Sequence, residues 1–189
     1  MWSPTQQEYL NLFSNYISQR KNHYKRFTDL VDLGSGTGIL PIIMSQNGGF
    51  PEEGQIYSFD SYSRAVECTK MNSQIFNLAS RQKAVEVDLV DLYYSNSEEN
   101  TTAGAPQEMA FYKKVSSDLG FPMTVDLITC NPPWIPSAFV KETSPLDNGV
   151  YDPDEKFLKS ALNFARIHLN RATGEMLLIY SDMGYQLGL

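Results

Sequence analysis

The stretch LITCNPPWIP, Leu127 to Pro136, ends an apolar run in a carboxamide, two prolines and an indole. The side-chain oxygen of Asn131 and the carbonyl of Pro132 are neighbouring acceptors, and each can take one N–H of a planar NH2 group. Such a grip aims a nitrogen whose lone pair is otherwise delocalised and stabilises the charge it gains on attack, effects worth on the order of several kcal/mol. Pro132 and Pro133 bring no competing N–H and stiffen the segment. Trp134 offers a flat face for stacking on a base or an amide plane. An ordinary turn followed by a core tryptophan would leave the coincidence of these four residue types unexplained.

A second group lies upstream. In VDLGSGTGIL, Gly34, Gly36 and Gly38 stand between an apolar strand run and a helix. Glycines at such a junction let a ligand approach the backbone and the helix N-terminus, whose partial positive charge suits a phosphate or a carboxylate. A tight strand-to-helix turn is the competing reading. Asp60 ends the next strand run, where a carboxylate can accept both ribose hydroxyls of a nucleoside; alternatively it caps the segment behind it. Asp88 closes VEVDL on the same rim. Its carboxylate can accept an adenine amino group, with the Leu89 backbone N–H facing a ring nitrogen. Asp91 competes for that place, and for either acid a solvated loop is the alternative. The GxGxG spacing is not the GxGxxG of a dinucleotide site, and a nicotinamide dehydrogenase would leave NPPW without a role.

These residues need elements to hold them. QQEYLNLFSNYIS places Leu10, Phe13 and Ile17 on one helical stripe, with Tyr9, Leu12 and Tyr16 beside it. FTDLVDL (Phe27 to Leu33), GQIYSFD (Gly54 to Asp60), KAVEVDL (Lys83 to Leu89), TVDLITC (Thr124 to Cys130) and GEMLLIYSD (Gly174 to Asp182) read as strands. TGILPIIMSQN reads as a helix with Pro41 in its first turn. SRAVECTKMNSQIFNL reads as another, capped by Ser61 or Ser63. In YDPDEKFLKSALNFARIHL, Asp152 as N-cap, Pro153 at the first helical position and Glu155 at the third form a capping signature. Alternating strands and helices predict an α/β fold with a Rossmann-like, doubly wound, mostly parallel sheet. Residues 1–189 read as one domain. Residues 94–122 read as an insertion that interrupts the rhythm: it opens in polar, Gly- and Pro-bearing sequence and ends in a stretch able to form a short helix.

The 189 residues are 42% apolar, enough for a core, and carry a net charge of −7. That charge argues against a stand-alone nucleic-acid binder. The one basic cluster, SQRKNHYKR (Ser18 to Arg26), reads as the solvated end of a helix. Cys68 and Cys130 form no CxxC, which argues against a disulfide framework and a zinc knuckle and makes a reducing compartment the default. No metal is expected. No apolar run approaches the ~18 residues of a membrane span, and MWSPTQQEYL lacks the regions of a signal peptide. A cytoplasmic protein is the expectation.

VDLGSGTG, YSFD, VDL and NPPW, in this order and spacing, resemble the class I S-adenosylmethionine-dependent methyltransferases. NPPY-type tetrapeptides after the fourth strand mark their amino-methyltransferases, which act on exocyclic amines of bases or on the glutamine amide of release factors. NPPWIP is most similar to the NPPYIP of the HemK-like group. The resemblance covers Phe27 to Asp182. It implies S-adenosyl-L-methionine as cofactor, with Asp32 and the Gly34–Gly38 turn holding its methionine part, Asp60 its ribose, and Asp88 with Leu89 its adenine. It implies that Asn131, Pro132, Pro133 and Trp134 hold a protein glutamine or a nucleic-acid base for methylation on nitrogen. The acidic balance leans toward a protein substrate, or toward RNA met through a partner. The N-terminal helix is expected to help close over the cofactor. Family members continue past the fifth strand with a helix and a strand hairpin, so the C-terminal hairpin is expected to be missing here: either the chain is a truncated product or a partner chain completes the sheet. A methyltransferase-like subunit that has lost catalysis and binds another chain is the alternative to an enzyme.

Overall fold

Five apolar runs become parallel strands in the computed structural model, which describes residues 4–93, 115, 119–133 and 149–180. They are β1 (Asp29–Leu33), β2 (Gln55–Asp60), β3 (Gln82–Glu86), β4 (Leu127–Cys130) and β5 (Glu175–Leu178). The helices are α1 (Pro4–Gln19), α2 (Lys21–Tyr24), α3 (Ile39–Gln46), α4 (Ser63–Ile75), α5 (Leu89–Tyr93) and α6 (Lys156–His168). The strand order is β3-β2-β1-β4-β5. The chain leaves β1 toward β2 and later returns on the other side at β4. That reversal opens a crevice at the carboxyl ends of β1 and β4, where ligands of such sheets bind.

Strand alternation sends side chains to two cores. On one face Leu30, Ile56 and Leu127 pack with Phe13 and Ile17 of α1 and with Leu40 and Met44 of α3. On the other, Val31, Leu33, Phe59, Ile128 and Cys130 pack with Ala161 and Phe164 of α6. Both faces of the sheet are therefore covered, as a parallel sheet requires. The α1 stripe of Leu10, Phe13 and Ile17 turns inward, while Leu12 is 65% exposed. The helix is seated closely: a Cβ on Gly49 would lie 2.3 Å from Ile17 Cγ2. Asn47 Nδ2 donates to Ser14 Oγ at 2.9 Å.

Several boundaries shift from the sequence reading. β3 stops at Glu86, because the chain turns at Val87 and Asp88 into α5. β4 starts at Leu127, although Val125 still bridges Leu169. Neither Ser61 nor Ser63 caps α4: Tyr62 holds the cap position, and Ser63 Oγ donates to Glu86 at 2.6 Å. The basic cluster is only partly a solvated helix end. Arg20, Lys21 and Lys25 are exposed, but His23 Nε2 and Arg26 meet Glu175 at the start of β5, at 2.5 Å and 3.0 Å. Most of the 94–122 segment, including all of residues 94–114, lies outside the described residues. Its end returns to the sheet: Val115 and Phe121 are buried, Tyr57 Oη donates to the Gly120 carbonyl at 3.0 Å, and Lys83 donates to the Leu119 carbonyl. No helix among the described residues is long and apolar enough to cross a membrane.

Candidate functional site

The turn between β1 and α3 is built first. The Ser35 N–H donates to the Phe59 carbonyl at 3.0 Å, and the Gly38 N–H to the Ser35 carbonyl at 2.7 Å. Gly34 and Gly36 have φ values of +66° and +53°, a conformation that costs a residue with a side chain about 1–2 kcal/mol. Their surroundings differ. A Cβ on Gly34 would lie 2.8 Å from Phe157 Cζ, and one on Gly38 would lie 2.9 Å from Thr69 Cγ2. A Cβ on Gly36 would meet nothing within 4 Å. Close approach is thus by protein side chains at Gly34 and Gly38, and the side open to a ligand is at Gly36. From α4, Thr69 Oγ1 donates to the Gly36 carbonyl at 3.1 Å and Asn72 Nδ2 to the Thr37 carbonyl at 2.9 Å. Sequence reasoning missed both braces, since a polar residue on a helix carries no sign of its distant partner.

Asp60, half-buried at the end of β2, ties into this turn. Its Oδ2 accepts the Gly36 N–H at 2.9 Å and its Oδ1 the Tyr62 N–H at 2.9 Å. The rim carboxylate thus also accepts the N–H of the residue at the cap position of α4. A carboxylate oxygen has two lone pairs, so each oxygen can still accept a donor from the cavity it lines. Asp88 is exposed and also lines the cavity. Its Oδ1 accepts the Val90 and Asp91 N–H groups at 2.9 Å and 3.2 Å, capping α5. Leu89 lines the cavity, whereas Asp91 lies within α5 and does not.

Asp32 sits deeper, with 1% of its surface exposed. It is the register neighbour of Thr129 on β4, whose hydroxyl donates to Asp32 Oδ1 at 2.7 Å. Asp32 lines the cavity, and its Oδ2 is buried with no hydrogen-bond partner among the described residues. Burial pushes this carboxyl up to about 8; the Thr129 bond opposes the shift and the charge of Asp60 adds to it. Leaving a buried acceptor unpaired costs about 1–3 kcal/mol. A buried carboxyl beside an open glycine turn fits a ligand that brings a positive charge, which favours its ionised, accepting form. The neighbouring Cys130 thiol is pushed well up by burial, then by the charges of Asp32 and Asp152, so it is no thiolate nucleophile.

Asn131 is exposed and, with Pro133, lines the same cavity; Pro132 is buried behind them. Trp134 lies outside the described residues. The cavity has a volume of about 1000 Å³ and is bounded on one side by Gln7, Leu10, Asn11 and Ser14 of α1. Small-molecule sites run from roughly 300 to 1,000 Å³. This one therefore has room for a nucleoside and a second reactant beside it. Among the described residues no group of three His, Cys, Asp or Glu side chains gathers as metal ligands would.

The remaining wall comes from the start of α6, where the local sequence reads differently from its structure. Pro153–Glu155 form a 3-10 turn, and Asp154 and Glu155 are both left-handed, at φ 60° and 56°. Each such residue stores about 1–3 kcal/mol of strain. Asp152 is indeed a cap, but it reaches past the turn: its carboxylate accepts the Phe157 N–H at 2.8 Å and the Leu158 N–H at 2.9 Å. Glu155 lies 3.6 Å from Lys159 instead of completing a capping box. Burial raises the Asp152 carboxyl above its ordinary value, against the two helix N–H bonds. Tyr151, Lys156 and Phe157 all line the cavity, and none of them stands out in the sequence as a site residue.

No protein-family model matches the sequence, and no curated protein is significantly similar to it. Solved structures are similar in fold. The SAM-dependent methyltransferase from Agrobacterium tumefaciens aligns over 95% of this chain and 45% of its own length, at 16% identity and a TM-score of 0.52. A protein described as an rRNA-methylase, from Clostridium thermocellum, aligns over 90% of this chain and 75% of its own, at 15% identity and a TM-score of 0.52. The O-methyltransferase from Bacillus cereus, in complex with SAH, aligns over 69% and 45%, at 11% identity and a TM-score of 0.41. This chain thus spans under half the length of the Agrobacterium and Bacillus proteins. With its parallel order β3-β2-β1-β4-β5, it has the Rossmann-like fold of the S-adenosylmethionine-dependent methyltransferases.

Proposed function

We propose that the protein is an S-adenosylmethionine-dependent N-methyltransferase acting on an amide or exocyclic amino nitrogen, of a protein glutamine or a nucleic-acid base. The observation that carries this reading is the convergence of Asp32, Gly36, Asp60, Asp88 and Asn131 on one cavity at the carboxyl ends of four strands. In it, Asp60 accepts the ribose hydroxyls, Asp88 and the Leu89 N–H take the adenine edge, and the orphaned Asp32 Oδ2 faces the amino-acid end. S-adenosylmethionine supplies, when bound, an electrophilic methyl group on sulfur. The chain's own contribution is positioning: Asn131 Oδ1 and the Pro132 carbonyl each accept one N–H of the acceptor, which turns its lone pair inward. The nitrogen would form one N–C bond as the sulfonium's S–CH3 bond breaks, with the thioether S-adenosylhomocysteine as leaving group, and afterwards shed one proton to solvent, which an alkylated amine or amide cation loses readily. No strong base is required before attack.

Tritiated methyl transfer from S-adenosylmethionine into a cell extract, followed by nuclease or protease digestion, tests the reading and identifies the polymer. Label in a nitrogen of either polymer supports it. Asn131→Ala should lower the rate about a hundredfold or more while cofactor affinity stays near wild type. Undiminished transfer by that variant would remove Asn131 from the mechanism. A second reading, a methyltransferase-like subunit that binds a partner chain, is favoured by β5, the edge strand among the described residues, which ends in Leu178, 39% exposed, and is followed by Tyr180, 45% exposed. A folded sample that takes up no cofactor would favour it.

A further inference from the structure

The start of α6 is built at a cost that its own helix does not explain. Two consecutive residues with side chains, Asp154 and Glu155, are left-handed. The carboxylate that bridges them is buried. An ordinary N-cap side chain would have met a first-turn N–H group without the strain. The irregular path brings the Phe157 ring against the backbone of Gly34, so close that a Cβ there would lie 2.8 Å from the ring. Phe157 also packs on the core beneath it and lines the cavity beside the glycine turn. Lys156, its neighbour, lines the same wall.

We infer that Asp152 is a positioning residue: by binding the Phe157 and Leu158 N–H groups across the strained turn, it holds the Phe157 ring on Gly34 and so sets the cavity wall beside the glycine turn. Asp152 acts through α6, and Phe157 is the group that faces the ligand. The functional part of this inference rests on the cofactor reading above; the structural part does not. Strain of this kind persists where surrounding contacts over-determine it, and the double bond from Asp152 supplies that determination here.

Two measurements on the full chain test it. The first is the amide and Hα resonances of Gly34, which carry the ring-current shift of Phe157. Phe157→Leu gives the shift in the absence of the ring. Asp152→Asn, which can accept only one of the two N–H groups, is expected to move Gly34 toward that value; an unmoved Gly34 overturns the inference. The second is calorimetric binding of S-adenosylhomocysteine to Asp152→Asn, Phe157→Leu and the double variant. Each single change is expected to weaken binding roughly tenfold, and the double variant to bind no more weakly than Phe157→Leu, as for residues acting through one path. Multiplying effects, roughly a hundredfold in the double variant, would show Asp152 acting on its own and overturn the inference. Asp152→Ser, which keeps a capping oxygen, replaces the Asn variant if that one does not fold. If the wild type binds no S-adenosylhomocysteine, the cofactor reading falls, and the Gly34 resonances still decide where Asp152 holds Phe157.

Discussion

The backbone N–H of Gly36 donates to Asp60 Oδ2 at 2.9 Å, tying the carboxyl end of β2 to the cavity-lining glycine at which an added Cβ would meet nothing within 4 Å. The acid expected to hold a ribose is therefore also a brace for the loop beside it. The two roles separate by substitution. Asp60→Asn keeps one acceptor oxygen and loses the charge; its unfolding free energy in urea should stay within about 1 kcal/mol of wild type. Its affinity for S-adenosylhomocysteine should fall by roughly ten- to a hundredfold. A variant that unfolds but binds normally when folded would make Asp60 a brace alone.

Gly34 and Gly36 should respond differently to alanine. Gly36→Ala meets only the backbone preference against φ +53°, about 1–2 kcal/mol, but places a methyl group on the open side of the turn. Gly34→Ala meets that preference and the Phe157 ring as well, for a loss of about 2–4 kcal/mol. Denaturation curves with ligand titration check both: Gly36→Ala is expected to stay folded and lose ligand, and Gly34→Ala to lose stability first. The reverse order would contradict the placement of the open side at Gly36.

Asp32 predicts a pH dependence of unusual sign for a carboxyl. Raised to about 8 by burial, it keeps a proton in the folded chain that the unfolded chain gives up near 3.8. The folded state thus binds more protons between these values. This contribution to stability is complete below about pH 4, shrinks as pH rises, and is gone above about pH 8, with a limiting slope of about 1.4 kcal/mol per pH unit. Urea unfolding of wild type and Asp32→Asn from pH 5 to 9 isolates it. Wild type should lose stability relative to the variant as pH rises; no relative change from pH 5 to 9 would mean that Asp32 is already ionised when folded.

His168 predicts the opposite slope in a more acidic window. Its ring lies 4.5 Å from that of Phe164 and 6.2 Å from that of Phe121, and burial lowers its pKa from 6.5 to about 4 against a backbone bond at Met123. The unfolded chain takes up a proton below pH 6.5 that the folded chain refuses until about pH 4. Stability present above pH 6.5 should therefore drain away as pH falls toward 4, again by no more than about 1.4 kcal/mol per unit. Acid titration of the unfolding free energy should show a smaller loss in His168→Gln. Equal losses in the two proteins would contradict a neutral buried ring.

The sheet was legible because its signals are local: each strand is an apolar run, and the glycine turn and the acids stand at run ends that a parallel sheet gathers on one rim. Asn131 and Asp60 reach the cavity for that reason. What escaped depends on contacts between distant segments. Asp88 and Asp91 could not be ranked by spacing, because the choice depends on β3 stopping at Glu86 and α5 starting at Leu89. The motif at Asp152 looked like a regular capping box, but the helix starts at Lys156, and Asp152 caps it from across a left-handed turn. Thr69 and Asn72 brace the turn from α4 without any local signature. The orphaned oxygen of Asp32 is a property of burial, which a row of letters does not display.

Calorimetric titration of S-adenosylhomocysteine into the folded chain, beside Asp60→Ala, tests the central claim most directly. One site per chain with micromolar affinity, abolished in Asp60→Ala, is the predicted result. A folded wild-type sample that releases no heat and takes up no ligand would contradict it, and would leave the rim of Asp32, Gly36 and Asp60 without the nucleoside proposed for it.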